Sequence, residues 1–198
     1  YAKLKFILLS SQAAAGPADG LEESISEVDD PRPVSHYGRS KLASEQLLAK
    51  LAPNGWQWAV LRPPMVLGPD DPAIMDLVKM VQGRFILVPG LRGGLKKRYS
   101  FVSVFDLVSM VEQTVNYLES DQQTGRVFFV AHPQTIAFSE LIQAMEQELG
   151  VKWSLKLPLP IPLLHLVAWI LYLMHHLFGV DFRLTPDKIS ELIPANWR

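Results

Sequence analysis

Short apolar runs alternate with longer amphipathic stretches along most of the chain, and this alternation limits the possible folds more than any other feature. The runs that have the length and composition of strands are 4–9, 56–62, 85–88, 99–104 and 126–131. The stretches in which apolar residues recur at helical spacing are 38–52, 70–83, 106–118 and 138–149. Strands that alternate with helices indicate an α/β fold with a largely parallel sheet.

The last quarter of the chain has a different character, because 157–180 contains no Asp, Glu, Lys or Arg. Its proline-spaced start predicts an extended segment at 157–162, and 163–178 predicts one helix. Such a helix is about 24 Å long, against a hydrocarbon core of about 30 Å. We therefore favour a helix that covers an apolar pocket over one that lies on a membrane surface through 161–178, and both over a membrane span.

Composition excludes several classes of function. The chain has 19 basic and 20 acidic residues, a net charge of -1, so nothing in its charge favours nucleic acid as a partner. Without cysteine it has no disulfide, no thiolate nucleophile and no Cys-ligated zinc. Its histidines at 165, 175 and 176 have no carboxylate nearby in sequence, and we predict no metal site. A cytoplasmic location, with membrane association through the apolar segment as an addition, fits this composition.

Tyr37 and Lys41 are the candidate catalytic pair. Four residues apart on a predicted helix, they share one face. An ammonium beside a phenol favours the phenolate, which can exchange a proton with a substrate hydroxyl or carbonyl. Hydride transfer from a nicotinamide needs such a proton partner. The spacing alone also fits a solvated helix, in which the tyrosine packs and the lysine points to water.

The surrounding residues resemble a known family. A strand that ends in Ser10-Ser11, followed by Tyr-Gly-Arg-Ser-Lys at 37–41, is similar to the extended short-chain dehydrogenases/reductases, the NAD-dependent epimerase/dehydratase family with its 3-beta-hydroxysteroid dehydrogenase-like branch. The resemblance implies that Ser11 hydrogen-bonds the substrate oxygen and Tyr37 is the acid/base. It also implies that Lys41 assists Tyr37 and holds the nicotinamide ribose. The alternative for Ser11 is a strand-end serine that satisfies local backbone groups.

Two further segments resemble the same family. The stretch 61–69 is similar to its Arg-Pro-x-x-x-Tyr-Gly-Pro segment, in which the backbone meets the nicotinamide carboxamide. Pro64 and Val66 are therefore candidate cofactor contacts, although Leu67 replaces the tyrosine. The stretch 98–106 is similar to Arg-x-x-Phe-Val-His-Val-x-Asp, with Ser103 in place of histidine. A strand ended by two prolines would explain the first segment equally well.

The glycine-rich turn that meets the cofactor pyrophosphate in this class has no counterpart before Ser11. The resemblance thus implies the C-terminal part of a Rossmann-type doubly wound parallel sheet, plus a smaller, helix-rich substrate-binding region. We expect 1–135 to hold the rest of the Rossmann-type domain with interleaved substrate-domain segments, and 136–198 to form the apolar helical region. A chain of this extent is expected to be inactive by itself, its function belonging to a longer parent.

The substrate class stays open between two enzymatic interpretations. The uncharged segment at 157–180, and a tail at 182–188 that resembles the steroid-dehydrogenase-like branch, favour an NAD- or NADP-dependent oxidoreductase for the hydroxyl or keto group of an apolar, sterol-like or acyl substrate. The alternative is a sugar-nucleotide epimerase or dehydratase, in which Arg98 binds the diphosphate. Basic residues that could assist it are Arg92, Lys96 and Lys97. Gln12 is a further candidate substrate contact.

A third interpretation is that the protein is not an enzyme but a non-catalytic nucleotide-binding module. The joint presence of Ser11, Tyr37 and Lys41 argues against it, because a scaffold has no physical need for all three. The expected partner is therefore a small molecule, with a homodimer also open to the chain. The residue that would distinguish NAD from NADP is not within this sequence.

Overall fold

The computed structural model describes residues 4–20, 23–53, 55–91, 93–120, 124–179 and 185–198. Some residues used above lie outside the described ones: Arg92, Val180 at the end of the uncharged segment, and the 182–184 part of the tail. The chain divides into two compact units. The first comprises Tyr1–Pro69, Tyr99–Thr135 and Trp197–Arg198, and the second comprises Asp70–Arg98 and Ile136–Asn196. The domain boundaries predicted from sequence remain a prediction.

Strands and helices alternate, as the sequence predicts. The strands are β1 (Lys5–Leu9), β2 (Gln57–Arg62), β3 (Met65–Leu67), β4 (Phe85–Pro89), β5 (Arg98–Tyr99), β6 (Phe101–Ser103), β7 (Arg126–Phe129), β8 (Ile136–Ala137), β9 (Leu155–Leu159) and β10 (Asn196–Trp197). The helices are α1 (Gln12–Ala15), α2 (His36–Leu51), α3 (Pro72–Gln82), α4 (Val104–Ser120), α5 (Phe138–Glu148), α6 (Ile161–Phe178) and α7 (Pro186–Leu192). A short 3-10 turn covers Gly94–Lys96. The mixed α/β class is confirmed.

The first unit is built on a parallel sheet with strand order β1-β2-β7. In the centre lies β2, where Ala59, Val60 and Leu61 are fully buried. A second parallel pair, β3 with β6, adds Val102 to the core. The apolar stripe of α4 packs on this core, which explains why a helix forms there.

The strand β1 lies at an edge of this sheet. Its apolar run has the composition of a buried strand, yet Phe6 and Leu9 are 39% and 47% exposed. Among the residues that the structure describes, β1 pairs on one side only, with β2 in the register Leu9↔Leu61. An edge strand has fewer neighbours to cover its faces, so an apolar run alone does not decide burial.

The second unit contains the parallel pair β4–β9 with helices α3 and α5. Its core is apolar and consists of Leu77, Val81, Ile86, Val88 and Ile142. A smaller cluster joins α6 to α7 through Leu164, Ala168 and Ile189. Most of α6 is exposed outside that cluster, including Leu166, Trp169, Leu173 and Leu177. In the part of the chain that the structure describes, no helix is long and apolar enough to cross a membrane.

Three local details differ from the sequence expectation. The four-residue α1 and three-residue β3 are too short to produce a periodic pattern. The predicted strand at 99–104 is split between β5 and β6, and Val104 already begins α4. Ser100 marks the split: it is buried, and its backbone N–H donates to the carbonyl of Trp197 at 2.7 Å.

Candidate active site

The carboxyl ends of three parallel strands form one edge of the first unit, and Ser11 lies just beyond one of them. The ladder continues past the regular strands: the N–H of Ser10 donates to Leu61 at 2.8 Å, and that of Gln12 donates to Pro63 at 2.9 Å. On the other side, Val130 donates to the Arg62 carbonyl at 3.3 Å. Ligands of open α/β sheets bind at this edge, so its side chains are the first candidates for a site.

Ser11 follows β1 and caps the start of α1. Its backbone is extended, with φ -158° and ψ 153°, and its Oγ accepts a hydrogen bond from the N–H of Ala13 at 3.2 Å. This local capping is the alternative role that the sequence left open. It occupies one acceptor position of the hydroxyl and does not involve the O–H as a donor. A capping role and a ligand-binding role are therefore compatible in Ser11.

Tyr37 and Lys41 lie on the first turns of α2. The buried Ser35 sets where this helix begins, because its Oγ accepts from the N–H of Gly38 at 2.9 Å. The side chain of Tyr37 is 47% exposed, and the Nζ of Lys41 lies 5.8 Å from the centroid of its ring. The same Nζ donates to the carbonyl of Leu9 at 3.2 Å. Lys41 therefore connects the tyrosine to the end of β1, two residues before Ser11.

Gly38 explains how α2 comes so close to α1. A Cβ at this position would lie 2.3 Å from the carbonyl oxygen of Ala13, a backbone atom that cannot move aside by rotating. Only glycine allows this approach of the two helices. The glycine of the Tyr-Gly-x-Ser-Lys stretch thus places Tyr37 on an element packed against the one that Ser11 caps.

Beneath this edge lies a buried polar cluster that the sequence reasoning missed. Glu45 of α2 accepts from Arg62 twice, from Nε at 3.1 Å and from the terminal nitrogen at 2.6 Å. The hydroxyl of Ser10 donates to the same carboxylate. The two charged side chains are almost fully buried, Arg62 at 5% and Glu45 at 7% exposure. The guanidinium also lies 5.6 Å from the ring centroid of Phe129.

A signal for Glu45 was present in the sequence. It follows Lys41 by four residues and Tyr37 by eight, so all three lie near one face of α2. A carboxylate on a helix face that packs inward needs a partner. The spacing does not identify Arg62 as that partner, because the two residues belong to different elements.

The remaining predicted cofactor and substrate residues lie in both units. Pro64 is half-buried between β2 and β3, and Val66 pairs with Val102 inside the β3–β6 ladder. Gln12 is buried as the first residue of α1. Arg98 belongs to the second unit, where its backbone N–H donates to the carbonyl of Ala195 at 3.0 Å. The roles of these residues stay predictions.

One expected diphosphate-binding residue is engaged elsewhere. Lys97 is buried, and its Nζ donates to the carbonyls of Leu192 and Ile193 at the end of α7, the latter at 3.0 Å. Burial lowers the pKa of this ammonium. The expectation that Lys97 adds charge for a ligand is therefore wrong, because the side chain caps helix carbonyls instead. Lys96 is exposed.

The polar loop after α1 forms an open cleft of about 380 Å³ in the first unit. Its charged lining residues are Asp19, Glu23, Asp29, Asp30 and Arg32. Hydrogen bonds from the backbone N–H and then the hydroxyl of Ser26 lower the pKa of Asp29.

Over the described ranges no cluster of three or more His, Asp or Glu residues could hold a metal ion.

Comparison with known proteins identifies the family and the fold. The family model described as "NAD dependent epimerase/dehydratase family" matches residues 1–131. A UDP-glucuronic acid 4-epimerase from Bacillus cereus, solved with UDP-glucuronic acid and NAD, is 25% identical, with a TM-score of 0.64 over 79% of this chain and 48% of that one. A UDP-glucose 4-epimerase from Thermus thermophilus, solved with NAD, is 20% identical, with a TM-score of 0.66 over 79% of this chain and 51% of that one. At this identity the similarity shows the fold alone.

A curated relative, the uncharacterized protein y4nG of Sinorhizobium fredii (strain NBRC 101917 / NGR234), is 33% identical over 106 residues, which are 53% of this chain and 26% of that protein. The chain thus spans about a quarter of this relative and about half of the solved structures it matches. Because the family model covers well over half of the chain, from before Ser11 to beyond β7, the chain belongs to the NAD-dependent epimerase/dehydratase family.

Proposed function

We propose that the protein containing this chain is an NAD-dependent enzyme that moves hydride at a hydroxyl- or keto-bearing carbon, with Tyr37 as its acid/base. The observation that most supports this is the placement of a half-exposed phenol 5.8 Å from the Lys41 ammonium, at the carboxyl edge of a parallel sheet. Structures at 25% identity that were solved with NAD support the choice of cofactor.

The residues at this edge suit a nicotinamide and its reaction. A nicotinamide held there would supply the hydride chemistry. Tyr37 gives or takes the proton of the substrate oxygen, and the Lys41 ammonium supplies positive charge beside the ring. Ser11 donates its hydroxyl proton in a hydrogen bond to that same oxygen. Lys41 would hold the ribose, and the backbone at Pro64 and Val66 would hold the carboxamide.

For the substrate, two observations favour different classes. A nucleotide sugar is favoured by the relatives at 25% identity, whose structures contain UDP-glucuronic acid. In that case Arg98 would bind the diphosphate. With Lys97 engaged at the end of α7, however, fewer cations remain to assist it.

An apolar alcohol or ketone is favoured by α6. This helix has no charged residue between Ile161 and Phe178, and much of its apolar side-chain surface lies outside the core of its own unit. An apolar substrate bound against this helix would bury that surface. The two classes share Tyr37 chemistry and differ only in what holds the rest of the substrate.

The replacement Tyr37→Phe tests the acid/base assignment in the full-length protein. We expect kcat to fall by about 10²- to 10⁴-fold, because the proton partner of the hydride transfer is lost. The affinity for NAD, measured by equilibrium binding, should stay nearly unchanged. Tyr117→Phe is the matched control, since it removes a phenol from α4, which carries none of the proposed catalytic residues. Unchanged turnover in Tyr37→Phe would remove this residue from the mechanism.

Product analysis distinguishes the substrate classes. The full-length protein is incubated with NAD and either UDP-glucuronic acid or a hydroxysteroid, and the products are separated by chromatography. A new UDP-sugar isomer without net NADH supports the epimerase interpretation. Stoichiometric NADH from the hydroxysteroid supports the oxidoreductase interpretation.

A further inference from the structure

We propose that Ser10, Glu45 and Arg62 form a positioning unit that holds Tyr37 in register with Ser11. The proposal rests on the function proposed above and assigns a task to buried residues that do not reach the edge where a ligand would bind. The side chains of Glu45 and Arg62 are 7% and 5% exposed, Ser10 is buried, and the polar groups of all three are engaged with one another, so we assign them no ligand contact.

The cluster joins all the elements that carry the proposed catalytic residues. Glu45 stands one turn after Lys41 on α2, Arg62 is the last residue of β2, and Ser10 precedes Ser11. Through one carboxylate, the helix of the acid/base is therefore bound to the carboxyl ends of two strands. A displacement of Glu45 would move Tyr37 relative to Ser11.

Few other residues of this helix are buried. Of the sixteen residues of α2, only Gly38 and Glu45 are buried. Gly38 sets how closely the helix approaches α1, and Lys41 donates one hydrogen bond from a flexible side chain to the Leu9 carbonyl. The two parallel hydrogen bonds from Arg62 fix the helix more narrowly, because the planar guanidinium allows only a narrow range of carboxylate orientations.

Stability alone is a weak reason for such a cluster. Replacing a buried ion pair by apolar side chains of similar volume is often neutral or stabilising. Apolar side chains would not reproduce the fixed orientation of the helix on the strand ends, because their packing tolerates small shifts that a bidentate pair does not. A misplacement of about 1 Å at reacting groups can cost on the order of 10²-fold in rate.

The test compares two changes to the cluster in the full-length protein. The first is the double replacement Glu45→Met and Arg62→Met, which removes both charges together. The second is the conservative Ser10→Ala, which keeps the ion pair and removes one hydrogen bond to it. Thr114→Ala is the control: Thr114 is also buried, and its hydroxyl donates to the Met110 carbonyl at 2.7 Å within α4.

Four quantities are measured for each variant: the melting temperature, the Kd for NAD, KM and kcat. We expect the double variant to melt close to the wild type and to bind NAD with similar affinity, while kcat falls by about 10- to 100-fold with little change in KM. Ser10→Ala should show a smaller loss of kcat in the same pattern. Thr114→Ala should lower the melting temperature without lowering kcat.

Three outcomes would overturn the proposal. The first is a folded double variant with wild-type kcat. The second is wild-type kcat in Ser10→Ala, and this result would overturn the proposal even if the double variant does not fold. The third is a loss of kcat in Thr114→Ala equal to that in Ser10→Ala, since it would reflect general destabilisation. Tyr37→Phe is assayed beside them: if it stays active, the proposed function fails, whereas normal cluster variants beside an inactive Tyr37→Phe refute the positioning role only.

Discussion

Two of the ion pairs that join a helix to a strand, one taken from each unit, differ in their access to water. In the first unit Glu45 of α2 and Arg62 of β2 have side chains 7% and 5% exposed. In the second unit Glu146 of α5 and Lys156 of β9 have side chains 16% and 32% exposed. The buried pair has two hydrogen bonds from a planar guanidinium, whereas the other has one from a flexible ammonium at 2.6 Å.

The difference shows that the surroundings of an ion pair decide its role. A charge left alone in the interior has no water to solvate it, so the buried pair is costly to break and holds a fixed geometry. A charge left alone near the surface is readily solvated, so the more exposed pair, Glu146 with Lys156, adds less stability and responds to pH. The predictions below for Glu45 and Glu146 test this contrast, and the one for Gly38 tests the other buried position of α2.

The largest effect is expected for Glu45→Ala. Removing one partner leaves the Arg62 guanidinium buried without its carboxylate, which should cost about 3–5 kcal/mol of unfolding free energy. Urea unfolding of the full-length protein measures the loss. Gln46→Ala, at the next and exposed position of the same helix, is the control and should change stability by less than about 0.5 kcal/mol.

The double replacement Glu45→Met and Arg62→Met completes this comparison. It should recover most of the stability lost in Glu45→Ala, because no buried charge is then left alone. If Glu45→Ala costs no more than about 1 kcal/mol, the pair behaves as an exposed one and the contrast between the two units disappears.

The next effect concerns Gly38, the other buried position of α2. Gly38→Ala puts a methyl group 2.3 Å from the Ala13 carbonyl oxygen, so α1 and α2 must separate. We expect a loss of about 1–3 kcal/mol in urea unfolding, typical of an overpacked site. Gly20→Ala is the control in the same unit, since the nearest atoms there belong to the flexible side chain of Glu23. Equal stability in both variants would show that Gly38 does not set the helix separation.

Much of this fold could be predicted from the sequence, because its regular elements depend on local periodicity. The helices α3, α4 and α5 follow from apolar residues at helical spacing, and their observed bounds differ from the expected ones by a few residues. The leucine spacing in 38–52 likewise predicted the helix that carries Tyr37, which begins two residues earlier, at His36. Helices of this kind can be predicted without knowing which residues, distant in the sequence, contact each other in the fold.

What could not be predicted depends on contacts between distant segments. Glu45 and Arg62 are ordinary surface residue types, and only the packing of α2 on the strand ends buries them. In α6 the mismatch is reversed: the helix has no charged residue, yet its apolar side chains Trp169 and Leu173 are exposed. Composition describes what a side chain prefers, and the available neighbours decide whether that preference is met.

The smallest effect is expected for the exposed pair, in Glu146→Gln. Hydrogen bonds from Lys156 and then Ser154 lower the pKa of Glu146 below its ordinary value of 4.5. The unfolded carboxyl therefore binds its proton at higher pH than the folded one, so the stabilisation is present above pH 4.5 and is lost as the pH falls through the folded pKa.

At neutral pH this stabilisation should be less than about 1 kcal/mol, as for other solvent-accessible pairs. Urea unfolding of the wild type and of Glu146→Gln at neutral and acidic pH measures it: the two stabilities should differ at neutral pH and converge under acid conditions. Glu148→Gln, an exposed glutamate two residues away, is the control and should show a smaller convergence. A difference in Glu146→Gln that persists unchanged into acid would mean that packing at this position, and not its charge, joins α5 to β9. The contrast with the buried pair would then have to be explained by something other than access to water.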